Sequence, residues 1–416
     1  MSEETRKRIV RDLFRAAEAT QDLRVGVEIE FLCIERASFR PAAPLEASCA
    51  PRTTPATVPV VSGLAEARGW DRIDGPGLPR FVRPDGTVVS WEPGGQLEVA
   101  TPPLTSLDTL DATLADTVGQ LSIALEREGI GLLARGVDPR TPVHVPPLWL
   151  DHPRYRRMSA HYDRAGDAGR RMMRQSAAVH VNLDFGERAI ERWNRANLVV
   201  PAATAIFANS PVVEGRRGWR SERAHVWRTL DPGRTGAFAP DPNPSDAYLR
   251  FARAAPAFLL GDEDSAAVPW SETGCDDEAA WRNHLSTLFP EVRPRGYLEI
   301  RSIDALPPHH VTVAAAFLSG VVYGSAEPPT LEPPDEDRLI RAGREGLADV
   351  GLAGEALRWW DVAFEGLADL GPAFASARVL RRVEEFRKTL TAARRDPGDR
   401  AEGWVIAQAG SISAVP

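Results

Sequence analysis

Lysine is nearly absent from this chain. Of its 50 basic residues only Lys7 and Lys388 are lysine and the other 48 are arginine, so residues 8–387 contain none. That gap excludes a P-loop lysine, a Schiff base to pyridoxal phosphate, a lysine aldolase and a kinase strand lysine. A GC-rich genome would explain the arginine bias, yet the exclusion holds whatever its cause. If the chain handles phosphates, arginine and metal must neutralise them. Cysteine is scarce as well: Cys33, Cys49 and Cys275 lack CxxC spacing and form no disulfide framework, which predicts a reducing cytoplasmic setting. The longest near-apolar runs, Leu198–Ala208 and Val311–Gly324, fall short of the ~18 residues that span a bilayer. The first residues, Ser2-Glu3-Glu4-Thr5-Arg6-Lys7-Arg8, lack a signal peptide's apolar stretch. Net charge is −8 and no basic stripe is interleaved with aromatics, so neither nucleic acid nor membrane is an expected partner.

What remains is a globular composition, 43% hydrophobic and 26% charged, in 416 residues that can bury one large core or two modest ones. Residues 2–20 read as a helix, Val25–Glu35 as a strand and Pro41–Pro59 as a loop. Arg80–Ser90 reads as a hairpin turning at Pro84-Asp85-Gly86. Leu104, Leu107, Leu110, Leu114, Val118, Leu121 and Leu125 predict an amphipathic helix, with Thr105 and Asp108 as its capping box, followed by a strand at Leu132–Val137. Arg188–Ser210 reads as a helix with Pro201 as a kink or boundary. Ala237–Ser245 reads as a loop, Ala279–Leu288 as a short helix and Pro307–Gly324 as a buried one. Arg338–Arg395 is helical in pattern throughout. Strands dispersed among long helices predict an α+β fold.

Four short segments share one grammar: Val25–Phe31 (VGVEIEF), Gly95–Val99 (GQLEV), Val179–Phe185 (VHVNLDF) and Tyr297–Arg301 (YLEIR). Period two sorts each of them onto two faces. One face carries Val27, Ile29, Leu97, Val99, Val181, Leu183, Leu298 and Ile300. The other carries Glu28, Glu30, Gln96, Glu98, His180, Asn182, Asp184, Glu299 and Arg301. A wetted sheet face would account for any single strand. Five carboxylates across four strands would repel one another unless a cation sat among them, and Mg²⁺ favours such oxygen ligands.

Glu28 and Glu30, at i and i+2, are spaced to embrace a cation. The Pro93-Gly94-Gly95 turn would free N–H groups near Gln96 and Glu98 for phosphate. His180 is placed to bind metal or nucleotide phosphate. Glu299 and Arg301 form either an ion pair or a metal ligand beside a charge-neutralising guanidinium. Arg223, Arg228 and Arg234 cluster around Trp227, either as a solvated arginine loop or as a clamp for an α-carboxylate.

The blocks VGVEIEF, EPGGQLEVATPP, QSAAVHVNLDFG, RAHVWRTLDPGRTG and HLSTLFPEVRPRGYLEIRSIDALP occur in this order over roughly residues 20–325 and resemble those of the glutamate–cysteine ligase family. The similarity is to the branch with the plant enzyme and the actinobacterial enzyme of ergothioneine formation. The resemblance implies an antiparallel sheet forming a glutamine-synthetase-like funnel flanked by helices, with ATP and Mg²⁺ at its floor. It implies a catalytic ligase domain over residues 1–325 and a helical region packed on it over 326–416. By resemblance Glu28, Glu30, Glu98 and Glu299 are metal ligands, and Glu299 and Arg301 are catalytic. Gln96, His180, Asn182 and Arg301 are expected to contact nucleotide, and Arg223 and Arg234 to bind substrate.

The implied reaction joins the side-chain carboxylate of glutamate to the amine of cysteine through an acyl phosphate, serving glutathione or ergothioneine formation. Another acceptor amine and a non-catalytic nucleotide-binding relative remain alternatives, with Asp184 and Glu28 as candidate general bases. Two positions depart from the branch: His180 stands where plant-like members have glutamine, and Ala177 where many have cysteine.

Overall fold

The computed structural model describes residues 1–15, 23–46, 55–75, 77–150, 152–164, 166–261, 266–393, 404–408 and 411–413. Its strands are β1 (Val25–Glu35), β2 (Asp71–Ile73), β3 (Arg80–Val82), β4 (Val88–Trp91), β5 (Leu97–Ala100), β6 (Ile130–Leu133), β7 (Ala178–Leu183), β8 (Val292–Pro294), β9 (Leu298–Asp304), β10 (Trp404–Gln408) and β11 (Ser411–Ser413). Its helices are α1 (Glu3–Leu13), α2 (Thr57–Arg68), α3 (Leu107–Arg127), α4 (Pro153–Asp163), α5 (Asp167–Gln175), α6 (Ala189–Leu198), α7 (Val200–Ile206), α8 (Glu222–Leu230), α9 (Pro244–Ala254), α10 (Glu278–Leu285), α11 (Pro308–Tyr323), α12 (Glu336–Glu345), α13 (Val350–Leu370) and α14 (Ala377–Ala393).

The strands form one sheet in the order β11-β10-β6-β1-β5-β4-β3-β2, with β7 joining β1 to β9 and β8 beyond β9. The strand pairs of the described residues are all antiparallel. This is the α+β class that the dispersed strands predict.

The apolar face is the one period two selects. Val27, Ile29, Leu97, Val99, Val181, Leu183, Leu298 and Ile300 are all buried, and helices α3 and α11 pack near it, touching β1 and, in the case of α11, β7. At roughly 1.5–3 kcal/mol for each large side chain removed from water, this layer fixes which way the strands face. A one-residue slip would turn the carboxylates into the core.

Several boundaries shift from expectation. Helix α3 is capped by Ser106, which accepts from the Thr109 N–H at 3.1 Å, instead of by Thr105. Strand β6 begins at Ile130, because Gly129 adopts a φ of 76° and turns the chain early. Arg188–Ser210 divides at Val199 into α6 and α7, with Pro201 in the first turn of α7, where its missing N–H costs nothing. Helix α1 ends at Leu13, and the predicted helix at 16–20 and loop at 47–54 lie outside the described residues. The segment after residue 336 is three α-helices and a 3₁₀ turn at Gly346–Ala348, in place of one continuous helical stretch. Helices α2, α4, α5, α8 and α9 were not foreseen, and α2 begins at Thr57, inside the expected loop Pro41–Pro59.

The later helices share the main core. Helix α13 crosses α11 where Gly320, Gly324 and Gly366 allow backbone-to-backbone contact, and a Cβ on Gly366 would overlap the Gly320 carbonyl. Gly366→Ala should therefore strain the crossing instead of gaining helix propensity. We expect a loss of about 2 kcal/mol and a lowered melting temperature by calorimetry. Unchanged or raised stability would show that the two helices can part without cost.

Candidate functional site

Strands β9, β7, β1 and β5 lie side by side, so the four period-two segments do share one sheet. Glu28 stands opposite His180, Glu30 opposite Glu98, and Asn182 opposite Glu299. Between Val179 and Val181 the β7–β9 register shifts, leaving an extra residue on β9 beside His180. Such a bulge bends a strand and re-aims its side chains. Here it separates Arg301, which faces the cavity, from Asp304, which does not. The polar face floors a cavity of about 740 Å³, also lined by Glu92, Arg154, Tyr155, Met158, Arg223, Trp227, Arg293 and Arg295.

The acids divide into two triads, in each of which the candidate ligand atoms lie within 4.8 Å of one another: Glu28, His180 and Glu299, and Glu30, Glu92 and Glu98. The first triad is compensated by the protein. Arg295 and Arg301 donate to Glu299 at 2.8 and 2.9 Å, and Arg293 lies at 3.4 Å. Burial opposes ionisation of Glu299, but Arg293, Arg301, His180 and Arg295 outweigh it and hold the carboxyl far below its usual range. Glu28 is half-buried, which opposes ionisation, yet its 3.1 Å hydrogen bond with His180 Nδ1 brings its pKa down. Burial, then the Arg301 charge, lowers the pKa of His180 and favours the neutral imidazole.

The second triad has no guanidinium in direct contact among the described residues, and the more distant charges of Arg223 and Arg301 do not offset its burial. Burial and the neighbouring Glu98 raise Glu30 to about 8, and burial and Glu30 raise Glu92 to about 7. Burial with Glu92 and Glu28 pushes Glu98 well above the ordinary value. Its contacts are neutral donors, Ser90 Oγ to Glu98 at 2.9 Å and the Ala178 N–H to Glu30 at 2.8 Å. One buried and two half-buried carboxyls that resist ionisation together form a hard-oxygen donor set that fits Mg²⁺.

Gln96 lines the cavity, and its amide accepts from the Gly94 N–H at 3.0 Å and donates to the Ser176 carbonyl at 2.8 Å, so it also braces the turn. Several expected roles are not supported by the geometry. The turn offers no phosphate edge. The Gly95 N–H donates to the Glu92 backbone carbonyl, and a side chain on Gly94 would collide with the Arg174 backbone. These glycines serve close packing. Asn182 donates to Glu28 at 3.1 Å and does not line the cavity.

Arg234 is fully buried against Asp231 (2.9 Å), Thr287 and the Phe258 ring, away from the cavity. The i,i+3 acid in DPGR captures it. Arg228 is bound to Glu291 and Glu336. Of the arginine cluster only Arg223 lines the cavity, on helix α8 instead of a solvated loop, over the Trp227 ring. Asp184 is paired with Arg24 at 3.2 Å and lies outside the cavity, which removes it as a general base. Ala177 is buried in a small apolar cluster with Leu32, Ile34, Leu133 and Ala305, so it shapes no substrate wall.

Other residues escaped the sequence reading. Glu92 opens the EPGGQ block in a non-strand position, where period two is silent. Arg293 and Arg295 precede the YLEIR segment on and beside β8, which pairs Arg293 with Glu299. Asp304 forms a hub behind the site: Ser210 Oγ and Ser221 Oγ donate to it at 2.7 and 2.8 Å. The same hydroxyls accept the Arg223 and Ala224 N–H groups at 3.2 and 2.9 Å. The first turn of α8 is thus pinned to β9, and Arg223 reaches the Arg301 carbonyl at 2.8 Å.

The sequence model of Glutamate-cysteine ligase family 2 matches residues 24–395. The chain belongs to that family. It is 30% identical over 321 residues to a chloroplastic glutamate–cysteine ligase of Medicago truncatula, covering 72% of this chain and 61% of the relative. It is 34% identical over 294 residues to the glutamate–cysteine ligase EgtA of Mycobacterium tuberculosis, covering 64% of this chain and 67% of that one. The chain spans about three fifths of the length of the plant relatives it matches. A solved glutamate–cysteine ligase from Francisella tularensis in complex with AMP overlaps it partially, with 12% identity, a TM-score of 0.47 and coverage of 91% of this chain and 83% of that one.

The second triad gives this family member a pH signature. Folded Glu30 and Glu92 titrate near 8 and 7, above an ordinary carboxyl, so the fold binds extra protons that the unfolded chain has lost. Their contribution to stability is complete below the ordinary carboxyl range and disappears as pH rises through 7 to 8. His180, shifted downward, titrates below this window. Without divalent ions the urea midpoint should fall between pH 6.5 and 8, and Mg²⁺ should restore it most at the upper end. Calorimetry at pH 7 in buffers of different ionisation heat should show proton release on Mg²⁺ binding. A flat midpoint with no released protons would mean that the triad is already ionised and balanced by the protein.

Proposed function

We propose that this chain is an ATP-dependent, ADP-forming ligase joining the γ-carboxylate of L-glutamate to the amine of L-cysteine through γ-glutamyl phosphate. The observation that carries the reading is one cavity that pairs two acidic triads with an arginine wall and contains no lysine. Bringing a carboxylate onto the γ-phosphoryl of ATP opposes two anions, so the work is alignment and charge neutralisation.

Glu30, Glu92 and Glu98 would hold one Mg²⁺, and Glu28, His180 and Glu299 a second. When bound, the ions supply positive charge to phosphate oxygens. Arg295 and Arg301 flank Glu299 and offer guanidinium donors to the transferring phosphoryl, while Glu299 keeps both planes oriented. Arg223 Nε is buried with no hydrogen-bond partner among the described residues, and this guanidinium on the cavity wall suits a substrate carboxylate. We read the concave face as the glutamine-synthetase-like funnel, residues 1–325 as its catalytic unit and the reducing cytoplasm as its setting. No described helix is long and apolar enough to cross a membrane.

Mass spectrometry of a reaction with ATP, Mg²⁺, glutamate and cysteine should detect γ-glutamylcysteine, ADP and phosphate. AMP and pyrophosphate would rule out the acyl-phosphate route. A panel of amines compared by phosphate release would expose a different acceptor.

With Nδ1 turned to Glu28, His180 keeps Nε2 for metal or phosphate, a role that needs no proton transfer. His180→Gln should keep substantial turnover with a changed KM for ATP or a changed Mg²⁺ requirement, while His180→Ala should lose far more. Equal inactivity of both variants with normal nucleotide binding would make His180 an acid–base residue instead.

A further inference from the structure

Helices α5 and α8 stand between two cavities. Met172 and Met173 of α5 and Arg223 and Trp227 of α8 face the acidic sheet. A neighbouring stripe, Arg171 of α5 with Glu222 and His225 of α8, lines a separate cavity of about 430 Å³ that also includes Arg216, Arg217 and Trp219. This second cavity is lined by polar groups of both signs. Glu222 is 6% exposed and lines this cavity. Burial raises its pKa, against the fields of Arg171 and Arg216. Nδ1 of His225 is buried with no hydrogen-bond partner among the described residues, and its ring stacks on Trp219 at 4.5 Å. A buried nitrogen left unpaired in this way destabilises the empty cavity.

The signs of charge define the ligand. A bare anion would meet Glu222, and a bare cation would meet the exposed Arg216 and Arg217. A molecule carrying both an ammonium and a carboxylate satisfies both, and the volume suits a molecule of a few to a few tens of heavy atoms. We propose that this cavity is a second ligand site for a zwitterionic α-amino acid or short peptide, with the ammonium on Glu222 and the carboxylate on Arg216 and Arg217. Because α8 borders both cavities, an occupant here also contacts the helix that carries Arg223 and Trp227.

The ligand could be a substrate-type amino acid or a product-type dipeptide, so the test includes both. The full chain, loaded with Mg²⁺ and ADP, is titrated with L-glutamate, L-cysteine and γ-glutamylcysteine by calorimetry and tryptophan fluorescence. Glutarate, which lacks the ammonium, and putrescine, which lacks the carboxylate, serve as controls. At least one zwitterion should show two binding events per chain, and the probe that does so identifies the source. Glu222→Gln and Arg217→Ala should each weaken one event at least tenfold and leave the ADP affinity unchanged. Arg217 is exposed, so its variant remains informative if Glu222→Gln fails to fold. A single event for every probe, a second event indifferent to Arg217→Ala, or equal binding of glutarate would overturn the proposal. The readout is binding and not turnover, so its failure is distinguishable from failure of the proposed reaction.

Discussion

Charge crowding on one face of four strands is the constraint to which the rest of the molecule answers. Glu30 and Glu98 occupy directly opposed positions on β1 and β5, an arrangement of like charges that a sheet ordinarily avoids. It persists because the opposite face buries a continuous apolar layer that fixes register. The protein relieves the crowding on one side only. Around Glu299 it spends three guanidinium groups; around Glu30, Glu92 and Glu98 it supplies neutral donors and leaves the charge deficit open. A site that stored its own countercharge in both places would have little reason to take a cation.

The faces of the strands were legible because period two is a geometric necessity, and the apolar set is buried as the sequence predicts, while Asn182 and Asp184 of the polar set stay outside the cavity. Adjacency was not, since nothing in VHVNLDF or YLEIR names its neighbour or announces a bulge at His180. Turns and caps were harder still. Gln96 and Arg234 sit in Gly-rich segments where no periodicity gives the direction of a side chain, and each was captured by local partners, the Gly94 and Ser176 backbone in one case and Asp231 in the other. Glu92 was missed for the converse reason: it stands outside a strand yet folds back beside Glu98. Helix α8 was hidden by its arginines, which suggested solvent although three of them, Arg223, Arg228 and Arg234, at and just beyond this helix, are buried.

The supports of the site are as specific as the site. Asp304 lies three residues beyond Arg301 on β9 and, through two serines, holds the first turn of α8, so strand and helix deliver their guanidinium groups from one anchored corner. Gly136 is obligatory there, because a side chain on it would occupy the space of the Asp304 carboxyl. Packing of small residues and placement of charge are here the same requirement.

The arginine wall has one further consequence. Arg154, Arg223, Arg293, Arg295 and Arg301 all carry delocalised guanidinium charges, three of them on groups almost wholly removed from solvent. An amine in their place would shed its proton on burial and become a nucleophile. A guanidinium remains protonated and offers no lone pair to an electrophile. The cavity therefore attracts anions through groups that are themselves chemically inert toward activated carboxyl compounds, and its positive wall is fixed while its acidic floor titrates.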